Sequence, residues 1–90
     1  MQFKRGENRI FLEDKSQKTY AEITYTTVSE GLFIINNTYV HPDYQGQGIA
    51  KKLVEAVVVK ARDEDKKIVP ACPFANAEFE RRIDYADVKK

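Results

Sequence analysis

The feature that most constrains the fold is a change of hydrophobic period at His41-Pro42. Residues 32–40 have the composition of a strand, whereas the apolar residues after the loop recur at spacings of three and four, which is the period of a helix. These apolar residues are Ala50, Leu53, Val54, Val57 and Ala61. The spacing predicts a helix over 49–64. The run Val57-Val58-Val59 favours a strand locally, but good helix formers surround it, so the helix prediction stands.

Three strands are predicted before this helix, because β-branched and aromatic residues dominate and short polar turns separate the runs. The turns are Lys15-Ser16-Gln17 and Ser29-Glu30-Gly31, and the polar pair Asn36-Asn37 interrupts the third strand. Consecutive strands with short links predict an antiparallel meander. The strands span residues 9–14, 18–28 and 32–40. In the second, the alternation of Tyr20, Glu22, Thr24 and Thr26 with Ala21, Ile23, Tyr25 and Thr27 predicts one buried face.

A short buried strand over 67–72 follows the main helix, which makes a β-α-β crossover and predicts that this strand runs parallel to the third. Pro73 suits the first position of a second, shorter helix over 74–83. Residues 84–90 either cap the sheet edge or fray. The expected fold is therefore a mixed α+β domain over residues 1–90, with a meander, one crossover and a short C-terminal helix.

Size and charge exclude several classes of protein. The chain has 90 residues and a formal net charge of +1, too little for a dedicated nucleic-acid binder. One cysteine and one histidine give no internal disulfide and no zinc-like cluster, so no metal is expected. Residues 1–6 hold no apolar run of signal-peptide length, and no segment approaches the ~20 apolar residues of a membrane span. We expect a cytoplasmic protein that is a monomer or weak dimer.

Two glycines, Gly46 and Gly48, stand between the third strand and the main helix. Without a Cβ the backbone turns sharply and approaches a ligand closely. The amides of Gln47 to Ala50 are unsatisfied donors of the first helical turn and lie at the positive end of the helix dipole. This arrangement predicts a loop that holds a pyrophosphate, with Lys51 and Lys52 adding a screened attraction.

Glycines between a strand and a helix also occur in different kinds of loop. A Walker loop needs Gly-Lys-Ser/Thr at its end, and the dinucleotide fingerprint needs three glycines in the first β-α unit of a parallel sheet; neither pattern occurs. A plain tight turn from strand to helix would also use two glycines. The glycines alone leave that alternative open.

The segment Val40-His41-Pro42-Asp43-Tyr44-Gln45-Gly46-Gln47-Gly48-Ile49-Ala50 resembles the acetyl-CoA motif of the GNAT family of N-acetyltransferases. That motif reads Val-x-Pro followed by Arg/Gln-x-x-Gly-x-Gly/Ala, and Gln45, Gly48 and Ala50 fill its diagnostic positions. The resemblance implies that the cofactor is acetyl-CoA. The residues expected to contact it are Tyr39, Val40, Gln45, Gly46, Gln47, Gly48, Ile49, Ala50, Lys51, Cys72, Phe74 and Phe79.

The resemblance covers most of the chain and extends to the very small GNAT-like proteins, which lack the N-terminal helices and C-terminal strands of full-length members. Segments 20–25, 38–40 and 68–75 look like those of this subgroup, including its Cys-Pro-Phe after the last strand. It implies that the backbone of Tyr39 and Val40 pairs with the pantetheine arm, as an added strand pairs with a sheet edge. A splay between the third and last strands would admit the arm.

Two positions depart from the family pattern. Larger members commonly protonate the departing thiolate with a tyrosine on the last helix, and Phe79 stands in its place. The small subgroup usually has a histidine just before the Thr-x-Val segment, and here that residue is Asn37. Neither the usual acid nor the subgroup's candidate base is therefore present at these positions.

Cys72, at the end of its predicted strand and just before a helix start, is the main candidate for the chemistry, because a helix N-terminus favours a thiolate. It would take the acetyl group covalently or donate a proton to the leaving sulfur; alternatively, it packs as a small hydrophobe. His41 is a candidate base, although a solvated histidine before a proline explains it equally well. Asn37 is the third candidate. Glu22 on the second strand is explained as well by an exposed strand face.

The sequence thus favours an N-acetyltransferase that moves an acetyl group from acetyl-CoA to an amine acceptor, which nothing in the sequence specifies. One alternative is a module that binds CoA or acetyl-CoA with little activity of its own, because the elements that usually shape the acceptor pocket are absent. The other is a subunit whose partner supplies the acceptor wall.

Overall fold

The computed structural model describes residues 2–28 and 31–90. They form one five-stranded sheet and two α-helices, with single 3-10 turns after the fourth strand and after the second helix. The strands are β1 (Lys4–Gly6), β2 (Arg9–Glu13), β3 (Thr19–Val28), β4 (Leu32–Val40) and β5 (Lys67–Pro70); the helices are α1 (Ile49–Asp63) and α2 (Pro73–Arg81); the 3-10 turns are Pro42–Tyr44 and Ile83–Tyr85.

The strand order is β1-β2-β3-β4-β5, with antiparallel pairing up to β4 and parallel pairing between β4 and β5. This confirms the mixed α+β fold, the meander and the crossover. The bounds of β4 are those predicted, and α1 ends one residue earlier, at Asp63. The predicted turn at Ser29 and Glu30 lies outside the described residues, while Gly31 has a φ of +81°.

The strand β1 was not predicted, so the meander has four strands and not three. Lys4, Arg5 and Gly6 are all exposed at the sheet edge, where they pair with Phe11, Ile10 and Arg9. An edge strand this short, with no buried face, carries no alternation of apolar and polar residues. The strand forms because β2 pairs with it, and its own sequence does not predict a strand.

One face of the sheet packs against α1. Ile10 from β2, Ile23 from β3 and Ile35 from β4 are fully buried there. Val57 and Val58 of α1 are likewise fully buried, which explains why this β-branched run is helical: packing of the apolar face outweighs a local strand preference. The other buried residues of α1 are Ile49, Leu53, Val54 and Ala61. Neither helix in the described part of the chain is long and apolar enough to cross a bilayer.

A β-bulge divides β4 at Asn36. Ile35 pairs with Tyr25 and Asn37 pairs with Thr24, so Asn36 has no residue opposite it in β3. An extra residue shifts the alternation of faces by one position. Consequently Ile35 and Thr38, although three residues apart, both face α1. Asn37 and the half-exposed Tyr39 face away from it.

The strand β5 ends at Pro70, two residues earlier than predicted, because the chain turns there. The amides of Ala71 and Cys72 both donate to the Ile35 carbonyl at 3.1 Å, which folds the backbone away from the strand direction. Cys72 then caps α2, and Pro73 occupies its first turn. The helix begins at Pro73, the first position predicted for it, and ends at Arg81, two residues before the predicted Ile83.

The last residues, Ala86–Lys90, which we call the C-terminal strap, cap the edge of β5 and do not fray. The Ile68 amide donates to the Val88 carbonyl at 2.7 Å, and the Lys90 amide donates to the Ile68 carbonyl at 2.9 Å. The Val88 side chain is 3% exposed. The Arg62 guanidinium of α1 holds the Asp87 carboxylate at 2.9 Å. The strap therefore satisfies a strand edge that would otherwise be unpaired.

The sheet face opposite α1, which we call the open face, carries polar side chains. Lys4, Phe11, Glu22 and Tyr39 lie in one row of paired residues across it. The Arg9 guanidinium lies 3.6 Å from the centroid of the Phe11 ring, and its Nε is 2.6 Å from Glu22 Oε2. Glu22 is thus part of an ion pair on a partly exposed strand face.

Candidate functional site

A cavity of about 440 Å³ opens between the end of β4, the glycine loop and the first residues of both helices. Its position follows from the fold, because the crossover brings the end of β4 and the start of α1 to the same edge of the sheet. The residues that line it are Thr38, Val40, Tyr44, Gln45, Gly46, Gly48, Ile49, Ala50, Lys51 and Phe74.

The cavity exists because β4 and β5 diverge. Their registered pairing ends at Ile35 with Pro70, and the turn at Ala71 leads the chain into α2. Within the described residues, the second half of β4 therefore has a strand neighbour on one side only, which is β3. On the other side Thr38 Oγ1 lies 3.4 Å from Cys72 Sγ at the head of α2. This divergence is the splay that the sequence led us to expect.

The glycine loop has a backbone conformation that favours glycine. Gly46 and Gly48 have φ values of +83° and +76°, in the left-handed region. A Cβ added at either position would meet nothing within 4 Å, so the backbone angle, not space, selects glycine there. Gly48 is the N-cap of α1 and has no side chain to bond its first amides. These donors are left available at the positive end of the helix, on the wall of the cavity.

The Gln45 side chain ties this loop to the sheet. Its Nε2 donates to the Val40 carbonyl at 3.1 Å, and both residues line the cavity. A second contact comes from the ring of Tyr44, which stacks on Tyr20 of β3 with centroids 4.0 Å apart. The first contact holds the loop against the end of β4, and the second holds Tyr44 against β3.

Cys72 lies just behind the cavity and not on its wall. The thiol is 6% exposed, and its Sγ accepts the Ala75 amide at 3.3 Å as the cap of α2. Thr38 and Phe74, its neighbours on β4 and α2, reach the cavity instead. A direct reaction of Cys72 with a ligand in the cavity would need these side chains to move.

Several predicted site residues are not gathered at the cavity. Phe79 is 6% exposed and packs on Tyr85, with ring centroids 5.2 Å apart. Asn37 and Tyr39 belong to the open face. Gln47 is exposed on the glycine loop but does not line the cavity. Burial also raises the pKa of Tyr85, whose hydroxyl has no partner among the described residues. The tyrosine nearest Phe79 is therefore enclosed in the core.

His41 faces a separate depression of about 160 Å³, which Tyr20 and Asp14 also line. Its Nδ1 accepts the Asp43 amide at 3.1 Å, so this nitrogen already has a partner. The histidine is half-buried, and the cavity next to Cys72 does not include it. Its local role is to cap the 3-10 turn Pro42–Tyr44.

Two lining residues, Thr38 and Tyr44, were not predicted as site residues. A threonine in a strand has an ordinary structural role, and the alternation of β4 breaks at Asn36, so the facing of Thr38 is visible only once the bulge is known. In residues 2–28 and 31–90, no three His, Cys, Asp or Glu side chains are grouped so that they would hold a metal ion.

Comparison with known proteins gives a consistent result. The model of the GCN5-related N-acetyl-transferase family matches residues 9–88. The solution structure of a GCN5-like, provisionally assigned N-acetyltransferase from Staphylococcus aureus superposes with a TM-score of 0.82 at 38% identity. The match covers 99% of this chain and 87% of that one.

More distant structures share the fold. The ribosomal-protein-S18-alanine N-acetyltransferase from Escherichia coli is 24% identical, with a TM-score of 0.64, and the match covers 86% of this chain and 53% of that one. N-acetylglutamate synthase from Neisseria gonorrhoeae, solved with coenzyme A and N-acetyl-glutamate, is 22% identical with a TM-score of 0.58. That match covers 68% of this chain and 15% of the synthase. A comparison with curated proteins returned no match.

Proposed function

The chain belongs to the family of GCN5-related N-acetyltransferases, and from this premise we propose that it binds acetyl-CoA in the cavity and transfers the acetyl group to an amine acceptor. Members of this family use acetyl-CoA as the acetyl donor. The observation that carries the proposal is the position of the cavity. It lies between the second half of β4, which has no strand neighbour on the cavity side, and the uncapped amides of Gly48 to Ala50. In acetyl-CoA the pantetheine arm joins the thioester to a diphosphate, and the strand edge and the amides would hold these two parts in turn.

The glycine loop would hold the diphosphate. Backbone amides at a helix N-terminus bind phosphate oxygens without a charged side chain, and the helix dipole adds to the attraction. Lys51 lines the same end of the cavity and is exposed, so it contributes a cation that salt partly screens. These contacts position the cofactor and leave the acetyl end for the other side of the cavity.

The pantetheine arm would pair with the free edge of β4. The Val40 carbonyl points to the cavity side, where it accepts Gln45 Nε2, while the His41 amide points to β3, where it donates to the Tyr20 carbonyl. Backbone groups alternate in direction along an antiparallel strand, so those of Thr38 share the direction of Val40. We therefore assign the pairing to Thr38 and Val40, with the Tyr39 groups engaged by β3.

Removal of the glycine conformation tests the cofactor site. Gly48→Ala forces a left-handed alanine and costs about 1–2 kcal/mol of stability, because an L side chain disfavours that backbone angle. We expect its Kd for CoA, measured by calorimetry, to rise at least tenfold, about 1.4 kcal/mol. Gly31→Ala is the matched control: its φ of +81° imposes a comparable backbone strain far from the cavity, so CoA binding should not change.

Two results would contradict the cofactor site. If wild type binds neither CoA nor acetyl-CoA, the proposed function is wrong. If Gly31→Ala weakens binding as much as Gly48→Ala does, the loss reflects general destabilisation, and the loop does not hold the diphosphate.

One observation favours a second candidate, a module that binds CoA with little turnover. Of the described residues that line the cavity, Tyr44 and Lys51 are the titratable ones, and neither the candidate base His41 nor Asn37 is among them. Incubation of the protein with acetyl-CoA and a panel of primary amines, followed by assay of released thiol, separates the two. Binding without thiol release on any amine would identify a binding module.

A further inference from the structure

Thr38 stands between a buried thiol and the cavity. Its Oγ1 lies 3.4 Å from Cys72 Sγ, and its side chain lines the cavity at the point where β4 and α2 diverge. The bulge at Asn36 is what turns Thr38 to this side of the sheet. Cys72 itself is 6% exposed and does not line the cavity. The Thr38 hydroxyl therefore lies between the Cys72 thiol and the cavity.

The contacts of Cys72 favour one direction of donation between Cys72 and Thr38. The Sγ atom accepts the Ala75 amide at 3.3 Å, so the sulfur already serves as an acceptor toward α2. Either atom of the Thr38–Cys72 contact could donate; since Sγ already accepts the Ala75 amide, we take its one proton to point toward Thr38 Oγ1. The hydroxyl that accepts this proton keeps its own, which it can rotate toward the cavity. The order of groups is therefore amide, thiol, hydroxyl and cavity.

We propose that Thr38 is a catalytic residue that passes a proton from Cys72 to the sulfur leaving acetyl-CoA; the inference rests on the proposed function. The acceptor amine forms a bond to the acetyl carbon, and the bond between that carbon and the CoA sulfur breaks. The Thr38 hydroxyl gives its proton to the leaving sulfur and takes the proton of Cys72. Cys72 becomes a thiolate, and a proton from solvent replaces the one it gave, while the acylated amine releases its own.

The energetics suit such a relay. Donor and leaving group are both alkyl thiols, so the relay breaks one S–H bond and forms another of the same kind. The thiolate left on Cys72 keeps the Ala75 amide as a donor and lies at the positive end of α2. The relay also supplies an acid although the helix position usual for a tyrosine holds Phe79.

The test compares Thr38→Val, which keeps the shape and removes the hydroxyl, with Thr38→Ser, which keeps the hydroxyl. The amine that gives the fastest thiol release with wild type serves as acceptor. We expect Thr38→Val to lower kcat roughly a hundredfold, within the range of a general acid, and to leave the Kd for CoA within about twofold of wild type. Thr38→Ser should restore kcat to within about threefold of wild type.

A second readout needs no turnover. Because Cys72 is the single cysteine of the chain, the S–H stretching band in the infrared reports on this thiol alone. Loss of the hydroxyl in Thr38→Val should move the band to higher frequency, as a weaker hydrogen bond requires, while Thr38→Ser should leave it in place.

Three results would overturn the relay. They are equal kcat values for Thr38→Val and wild type, equally low values for Thr38→Val and Thr38→Ser, and an S–H band that does not move in Thr38→Val. Wild type that binds CoA and releases no thiol with any amine would also overturn it. Failure of the proposed cofactor site is distinguishable, because wild type would then not bind CoA in the calorimeter.

Discussion

The two halves of β4 are neighbours in sequence and opposite in character. The first half, Leu32 to Ile35, pairs with strands on both sides, and Phe33 and Ile35 are almost completely buried. The second half, Thr38 to Val40, pairs with β3 alone and lines a cavity. One strand thus provides the centre of the core and the wall of the candidate site.

Two local features produce this difference. The bulge at Asn36 resets the alternation, so Thr38 and Val40 face α1 as Phe33 and Ile35 do. The turn after Pro70 removes β5 from the second half without disturbing its pairing with the first. One half of a strand can therefore form a ligand site with an unpaired edge, because the other half, paired on both sides, supplies the stability. Substitutions in either half, or in the strap that holds β5, test this difference.

The first half of β4 should contribute more to the free energy of unfolding than the second half. Phe33→Ala removes a ring that is 1% exposed, and we expect it to lower the free energy of unfolding in urea by about 3–5 kcal/mol, the cost of a large cavity in a core. Tyr39→Ala is the matched control in the second half: Tyr39 is 41% exposed, so less than about 1 kcal/mol should be lost. Equal losses would show that the two halves do not differ in this way.

Deletion of Asn36 should erase the difference in facing. Without the extra residue, the second half slips by one position, and Thr38 and Val40 turn to the open face. We expect CoA binding, measured by calorimetry, to weaken at least a hundredfold, about 2.7 kcal/mol. Asn36→Ser keeps the residue count and should bind CoA as wild type does. Unchanged affinity after the deletion would mean that the bulge does not orient the site.

The strap that holds β5 should matter less. Val88→Ala removes two methyl groups from a side chain that is 3% exposed, and at ~0.8 kcal/mol for each group the loss is about 1.5 kcal/mol. Thermal or urea unfolding measures it. Val59→Ala on the outer side of α1, where the residue is 43% exposed, serves as control and should cost less than about 0.5 kcal/mol. If the two variants are equally stable, the strap does not contribute through Val88.

The smallest effect concerns pH. The Arg62 guanidinium beside Asp87 holds the pKa of that carboxyl below its ordinary value of about 3.8. A carboxyl whose pKa is lowered in the folded state stabilises the fold at pH values above its ordinary pKa. This contribution is lost as the pH falls through the pKa of the folded state. We therefore expect urea midpoints to fall less steeply between pH 5 and pH 3 in Asp87→Asn than in wild type.

Asp63 is an exposed carboxylate for which the described residues supply no ion pair. The urea midpoints of Asp63→Asn should therefore follow those of wild type between pH 5 and pH 3. Since Asp87 is solvent-exposed, salt should reduce the difference between wild type and Asp87→Asn. If the urea midpoint of Asp87→Asn falls more steeply with acid than that of wild type, Asp87 does not stabilise the fold in the predicted direction.

Much of the fold follows from the sequence. The apolar spacing of α1, the glycine at its N-cap and the short links between strands lead directly to the sheet order and the crossover. What escapes prediction is β1, since Lys4 to Gly6 bury nothing of their own, and the turn at Ala71, which depends on two amides that share the distant Ile35 carbonyl.

The candidate site divides in the same way. The glycine loop is visible in the sequence because its backbone angles favour glycine at Gly46 and Gly48. The facing of Thr38 depends on the pairing of Asn37 with Thr24, and neither composition nor spacing within β4 records that register. Pattern therefore predicts where a diphosphate would lie, whereas register decides which side chain reaches the other end of the cavity.

The hydrogen bond from Gln45 to the Val40 carbonyl joins the two ends of that cavity. One side chain therefore fixes the loop and the strand edge relative to each other in the folded protein. Much of the conformational entropy of the binding surface is therefore lost during folding and not on association, which raises affinity without any further contact.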